Sequence, residues 1–498
     1  MDNLIEITRL VSRLHDGKVI FKRVSRDTES FYYRMYQGIL SGRFTSDQEA
    51  AKELYDSHST DSRYQKLKIR YRKKVLSKLF DLDVETHFHN HYGLSIYQCC
   101  LNIFSSQILG MNGLEDASVK VMRYALTMAR QHDLTEFELI ALKKLRYRAA
   151  FDGDRMKFNF YNKRLKEIFL RLGDELESEE LTQELIYQNV KSLCPKYKDN
   201  HPKEIFDKLK KLNERNNTHT TRLNYYRNAV KYYYSDRKHE EAIKVCNTAL
   251  QYLSDKRFYQ RAKVGEFALY KMQNSLASRN YKMGVQCLRT CLQFFKTGTN
   301  NWFNFLETYF ILCLHVGKYR QAKTIYDDML KYPHFIKCSN ERKEKWELYR
   351  SYLSIVSPGL ISPDKINLAK FLNNILFYSN DKAGYNLAAT FLEILLRTGR
   401  GEYDVLFRKQ YAYEKYFRRH ISREKNPREY YFSKLLEILI DKEFDHAYVS
   451  RLAPRFLSKL NDYQAKSSVH SIEIIPYEVL WSNIMRTVSE TRKLYYVA

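Results

Sequence analysis

Six cations that share one helical face are the residues of this chain best placed to do chemistry. Wound at about 100° per residue, the segment 63–80 puts Arg63, Lys66, Arg70, Lys73, Lys74 and Lys78 on one stripe. Ile69, Tyr71, Val75, Leu76, Leu79 and Phe80 fill the other side, while Leu67 falls among the cations and Lys68 and Arg72 fall on the apolar side. No acid interrupts the stripe, so no residue three or four positions away neutralises it. Such a face can meet phosphates and release their counterions. It can equally be a solvated face whose acids come from a neighbouring helix.

A second basic segment runs from Arg408 to Arg428. Arg408, Lys415, Arg418 and Arg419 share a face, Arg423, Lys425 and Arg428 follow in an expected loop, and Tyr411, Tyr413, Tyr416 and Phe417 are interleaved. Aromatics among cations can stack bases, but at helical spacing they more commonly form a packing face. His87, His89 and His91 form an HxHxH run. On a strand all three would point one way and suit Zn²⁺; on a helix only His87 and His91 would be neighbours. No Cys or acid stands at a diagnostic distance, so neither metal nor any other cofactor is expected. Phosphate loops, dinucleotide fingerprints, HExxH and GxSxG are all missing. Asp152-Gly153-Asp154 reads as a turn and not as a carboxylate pair. No nucleophile is supplied with its base, and the expectation is a protein that is not an enzyme.

The elements that must position these residues follow from composition. The 498 residues contain only 8 Pro and 16 Gly, both well below ordinary usage. Long stretches of Leu, Lys, Glu and Tyr with few breakers predict an all-α chain. That length exceeds one ordinary core and implies several domains or a repeat array. A charge of +26 and a pI near 9.4 suit anionic partners: nucleic acid, acidic protein segments or anionic membrane surfaces. The alternative is compositional, an excess of Lys spread everywhere. The eight cysteines form no CxxC pair, so no disulfide framework is expected. Asp2, Glu6, Arg9, Arg13, Asp16 and Lys18 leave no room for an apolar leader, and no run approaches a membrane span. The expected location is the cytoplasm, without a membrane partner.

Punctuation divides the chain into segments. Residues 1–95 form a helical N-terminal domain: a helix over 28–40, a stop at Ser41-Gly42, a capping box at Ser46-Asp47-Gln48-Glu49, then the basic helix opened by Asp61-Ser62. Residues 96–195 read as hairpins 96–109 with 117–131 and 135–150 with 158–172, turning at Gly113 and Gly153, with a further helix over 181–193. Residues 196–221 read as a hinge or linker, because Pro195 and Pro202 flank a Lys- and Asn-rich run. Residues 222–357 hold the clearest repeats. Residues 358–498 continue with helices over 364–378, 383–398, 402–420, 433–443 and 446–460, and close with a segment that suits a cap.

The repeats superimpose on small residues. Around Ala322, an apolar helix from Trp302 through Phe305, Tyr309, Phe310, Cys313 and Leu314 stops at Gly317, and Tyr319, Ala322 and Tyr326 follow. Weaker copies surround Ala242 (Tyr226, Val230, Tyr233, His239, Cys246) and Gly284 (Met272, Tyr281, Leu288, Cys291). The three small residues are 42 and 38 positions apart, which points to stacked helical hairpins. The pattern resembles the tetratricopeptide repeat (TPR), in which Gly closes the turn and Ala sits where two helices touch. It departs from that family in its longer period (the usual one is about 34) and in carrying Phe310, Val230 and Met272 where a small residue belongs. The resemblance implies a right-handed α-solenoid whose first helices line a groove for a protein or peptide, acidic or extended segments included. Tyr226, Arg227, Tyr233, Lys271, Asn274 and Tyr309 are the groove candidates. The competing expectation is a nucleic-acid-associated regulator that contacts DNA or RNA through helix 63–80.

Overall fold

A computed structural model describes the chain except residues 16–20, 22–29, 82–90, 192–201, 296, 333–334, 336–339, 364–365, 367–383, 425, 464–472 and 496–498. Of the described residues 82% are helical and none is in a strand. The helix expected over 364–378 lies outside the described residues apart from Ile366, as do residues 192 and 193 of the one expected over 181–193. Two compact units, residues 1–169 and 170–498, divide the chain.

The first unit opens with α1 (Asp2–Leu14), α2 (Phe31–Leu40), α3 (Asp47–Tyr55) and α4 (Ser62–Ser77). Their shared core holds Val11, Met35, Tyr36, Ile39, Phe44, Ala51, Tyr64, Leu67 and Tyr71. The capping box forms as the sequence implies: Ser46 Oγ accepts from Glu49 N at 3.3 Å, and Glu49 Oε2 accepts from Ser46 N at 3.1 Å. Asp61 caps α4 by accepting from Arg63 N at 2.7 Å. Then come α5 (His91–Met111), α6 (Glu115–Gln131), α7 (Thr135–Phe151) and the first part of α8 (Arg155–Lys191). Successive helices α5, α6 and α7 pack on one another, and α5 also touches α7.

The second unit continues with α9 (Pro202–Arg215), α10 (His219–Ser235), α11 (His239–Leu253), α12 (Arg261–Ala277), α13 (Tyr281–Phe294), α14 (Asn300–His315), α15 (Tyr319–Lys331) and α16 (Asn340–Val356). After these stand α17 (Tyr385–Gly399), α18 (Tyr403–His420), α19 (Pro427–Asp441), α20 (His446–Asp462) and α21 (Tyr477–Tyr495). From α9 to α16 each helix packs on the next, and the first helices of successive hairpins meet, α10 with α12 and α12 with α14. The segment read as a hinge or linker, either a loop or one exposed helix, contains the helix α9. Phe206, Leu209 and Leu212 of α9 are buried, an apolar spacing hidden among lysines. Ser178 and Thr182 of α8 accept from Asn224 and Asn228 of α10, at 3.0 and 2.8 Å, in a buried polar ladder.

One turn recurs between helices. Leu114 N donates to Leu109 O (2.9 Å), Asp154 N to Ala149 O (2.9 Å), Lys238 N to Tyr233 O (2.8 Å), Lys318 N to Cys313 O (2.8 Å) and Glu402 N to Arg397 O (2.9 Å). This six-to-one bond closes a helix through a left-handed residue. Gly113, Gly153, Gly317 and Gly401 supply it, but at the equivalent places Asp133 (before Leu134 N, which donates to Ala129 O at 2.8 Å) and Arg237 adopt φ of 51° and 59°. The small residues singled out in the sequence are buried or closely packed. Ala242 and Ala322 are fully buried, and a Cβ on Gly284 would stand 3.3 Å from Leu312 of α14 and 3.8 Å from Ser275 of α12.

Helix α21 packs on α16, α17 and α20, and the residues just before it form an ionic cluster. Glu473 accepts from the wholly buried Arg428 (Nε 2.9 Å, Nη2 2.5 Å) and from Arg279 (2.8 Å). Arg428 Nη1 also donates to Glu478 (3.0 Å) and to Leu460 O (2.6 Å). The main-chain oxygen of Glu473 lies 2.7 Å from His315 Nε2, so that nitrogen carries the proton and Nδ1 accepts from Tyr281 at 3.1 Å.

Candidate functional site

On α4 the buried side is Tyr64, Leu67, Tyr71 and Val75. The helical wheel misplaced its edges: Leu67 is 6% exposed and Ile69 57%. Neighbours α1 and α2 decide which face is covered, and a wheel cannot see them. Several of the expected cations are held locally. Arg63 Nη2 pairs with Asp61 at 2.8 Å, and Lys78 pairs with Asp81 at 2.7 Å. Lys74 Nζ lies 4.1 Å from the centre of the Tyr32 ring. Lys68 pairs with Asp47 at 2.7 Å. Lys66, Arg70 and Lys73 are exposed and have no ion pair with any described residue, and Arg72 is in the same condition.

The groove candidates of the second unit are mostly engaged with their own fold. Arg227 makes a two-pronged pair with Glu266 at 2.7 and 3.2 Å. Burial raises the Glu266 carboxyl pKa, but the Arg227 bonds and charge outweigh it and the net shift is downward. Asn274 is buried, donating to Tyr270 O (2.9 Å) and facing His239 Nδ1 (3.0 Å). Tyr309 is buried and its hydroxyl accepts from Gln321. Tyr226 and Tyr233 are half-buried, edge-on to Phe267 and Phe206. Lys271 is half-buried, within electrostatic reach of Cys246 and Cys287.

The second basic segment splits. Tyr413 and Phe417 are core residues, while Arg408, Lys415, Arg418 and Arg419 are exposed beside Tyr411. Arg428, expected in a loop, lies instead in the first turn of α19 at the centre of the ionic cluster. Its acids are 45 and 50 residues away in sequence, beyond any local pattern. Among the described residues no three His, Cys, Asp or Glu side chains gather as metal ligands would. His87 and His89 lie outside the described residues, and His91 opens α5. Among the described residues no helix is long and apolar enough to cross a membrane.

The feature that sequence reasoning missed is in the first unit. Leu101, Phe104, Ile108 and Met111 follow one stripe of α5, and Ile140, Tyr147 and Phe151 follow one stripe of α7, all at spacings of three, four or seven. Their exposures run from 37% at Leu101 to 86% at Met111. The inner sides of the same helices are filled by Cys99, Ile103, Ala141, Leu142 and Leu145. Both α5 and α7 are therefore apolar on two sides, with a covered side and an open one. The available signal was α5 itself, whose residues 92–111 contain no charged side chain. A soluble surface helix normally pairs an apolar stripe with a charged one. Exposed apolar side chains in such stripes are a feature of interaction sites.

Searches for similar proteins found no matching family model, no matching curated protein and no matching solved structure.

Proposed function

We propose that this chain is a non-enzymatic scaffold, a TPR-like right-handed α-solenoid that holds a protein or peptide partner in the cytoplasm. The observation that carries the reading is the open apolar face of α5 and α7. In a TPR-like array the first helices of successive hairpins share one wall, and on this reading α5 and α7 are two such first helices. Sequential packing, recurrent six-to-one turns and the buried Ala242, Gly284 and Ala322 support the repeat part of the reading. The six described cysteines, all free thiols, agree with a reducing compartment. The test is affinity capture with the full chain and with a Phe104→Ser/Tyr147→Ser variant, both after nuclease treatment. Partners recovered by the parent and lost by the variant support the scaffold. Identical recovery by both removes α5 and α7 from it.

The exposed, unpaired Lys66, Arg70 and Lys73 favour a second reading, contact with DNA or RNA through α4. Replacing Lys66, Arg70, Lys73 and Lys74 with Gln then weakens duplex binding. Each lost phosphate contact lowers the slope of log affinity against log salt by about 0.9. Equal slopes for parent and variant would end that reading.

A further inference from the structure

Helix α4 keeps one whole side open. Its core residues Tyr64, Leu67, Tyr71 and Val75 pack toward α1, α2 and α3. At about 100° per residue, Ser62, Lys66, Ile69 and Lys73 form a ridge within about 35° of the direction opposite that core, and all four are exposed. By the same winding, Arg70 and Arg72 stand about 80° to either side of the ridge, and both are exposed. Lys66, Arg70, Arg72 and Lys73 form no ion pair with any described residue. Residues 62–77 contain no acid. Among acids near by, Asp47 is held by Lys68, Glu49 by Thr45 and Ser46, Glu53 by Arg43, and Asp61 by Arg63. Glu6 of α1 and Asp56 after α3 form no ion pair with α4.

Two further features select among anionic partners. The open side carries no aromatic residue, because both tyrosines of α4 lie in its core. It therefore offers no platform on which the unstacked bases of a single strand would lie. Ile69, 57% exposed between Lys66 and Lys73, gives the ridge an apolar point that clamping phosphates does not require.

Resting on the second reading above, contact of α4 with nucleic acid, we propose that the partner is double-stranded DNA and that α4 enters its major groove. That groove is about 12 Å wide and admits a helix. A helix seated there turns its ridge to the base edges and each flank to one of the two phosphate strands. Arg70 then meets one strand and Arg72 the other. Lys66 and Lys73, about 10 Å apart at 1.5 Å per residue, donate to guanine O6 and N7, and Ile69 packs on a thymine methyl group. Duplex RNA is a poorer occupant, since its major groove is too deep and narrow for side chains to read.

The experiment uses the full chain and fluorescein-labelled probes of about 20 base pairs, roughly two helical turns. One is duplex DNA of randomised sequence, another is duplex RNA of the same design, and the last is single-stranded DNA. Fluorescence anisotropy at low salt is expected to show duplex DNA bound about tenfold or more tightly than either other probe, as groove access demands. Methyl green, which occupies the major groove, should displace the protein, and netropsin, which fills the minor groove, should not. Arg70→Gln/Arg72→Gln should lower the slope of log affinity against log salt by about 0.9 for each lost contact. Ile69→Glu, which sets a carboxylate inside the groove, should weaken binding about tenfold or more. Lys120→Gln/Arg123→Gln removes the same charge from α6 and should leave the slope unchanged. All of these side chains are exposed, so the variants should melt with the parent.

Each contrary outcome has a distinct meaning. If duplex RNA or single-stranded DNA binds as tightly as duplex DNA, or netropsin alone displaces the protein, groove insertion is overturned and the nucleic-acid reading stands. The same follows if Ile69→Glu binds like the parent, because the ridge then stays outside the groove. If no probe binds at low salt, both fall together. If Lys120→Gln/Arg123→Gln flattens the slope as much as Arg70→Gln/Arg72→Gln, the attraction is general and the proposal is overturned. Polyglutamate bound as tightly as the duplex would make the occupant an acidic protein segment and overturn it as well.

Discussion

The ring of Phe44 lies against the backbone of Gly38, so closely that a Cβ there would stand 2.2 Å from Cε2. Phe44 is buried and cannot swing aside freely. Gly38→Ala should therefore destabilise the helices over 31–55 by about 1–3 kcal/mol, the usual cost of overpacking, read as faster amide exchange in that segment. Ala322 offers the same test in the second unit. With no exposed surface, Ala322→Leu should cost about 1–3 kcal/mol and lower the thermal midpoint; an unchanged midpoint would contradict the crossing assigned to it. Residues of this kind were legible in part. Ser46, Glu49 and Asp61 act on groups two or three positions away, so sequence alone reveals them. Ala242, Gly284 and Ala322 were legible through recurrence. Leu67 and Ile69 were not, because both lie at the border of the stripe and their burial depends on which neighbouring helix arrives.

Among the helices, α8 departs most from expectation. Two helices over 158–172 and 181–193 were expected, and one helix runs from Arg155 to Lys191. Gly173 stands between the expected pieces but keeps a negative φ, and a Cβ there would touch nothing within 4 Å. A glycine without a left-handed turn or a following proline does not stop a helix, and the Glu-rich run after it favours continuation. Gly173→Ala should then stabilise the chain by about 0.5–1 kcal/mol, measured as a higher unfolding midpoint with unchanged helicity. A fall in helicity would mean that the glycine relieves strain there. The repeated turn explains why one repeat read more clearly than its neighbour: Gly317 announces it, whereas Arg237 takes the same left-handed backbone without the glycine that would reveal it. The apolar face of α5 and α7 was illegible for a related reason. A spacing of three and four says that residues share a side, and only the packed structure says whether that side is covered.

At the scale of the molecule, residues that no local pattern connects hold part of the second unit together. Burial raises the pKa of Glu473, but the charge and hydrogen bonds of Arg428, then the charge of Arg279, outweigh it and bring the carboxyl down to about 2. A carboxyl lowered on folding contributes stability above its unfolded value, near 4.5, and loses that contribution as pH falls toward 2. Acid unfolding of the second unit should accordingly steepen across that window, and Glu473→Gln should flatten it. Arg428→Met leaves a buried carboxylate without its main partner and should cost about 3–5 kcal/mol, visible in urea unfolding. A variant as stable as the parent would mean that water reaches the cluster. Arg279 and His315 lie 194 and 158 residues before Glu473, whereas the other helices of the unit mostly meet their sequence neighbours. On a ribosome that adds roughly 5–20 residues per second, His315 is made roughly 8–30 s before the residue that completes its surroundings. During that interval α13 and α14 can fold against each other while the edge destined for Glu473 stays wet. Nascent chains stalled before Glu473 should thus expose this edge to proteases and holding chaperones, and release of the remaining residues should close it.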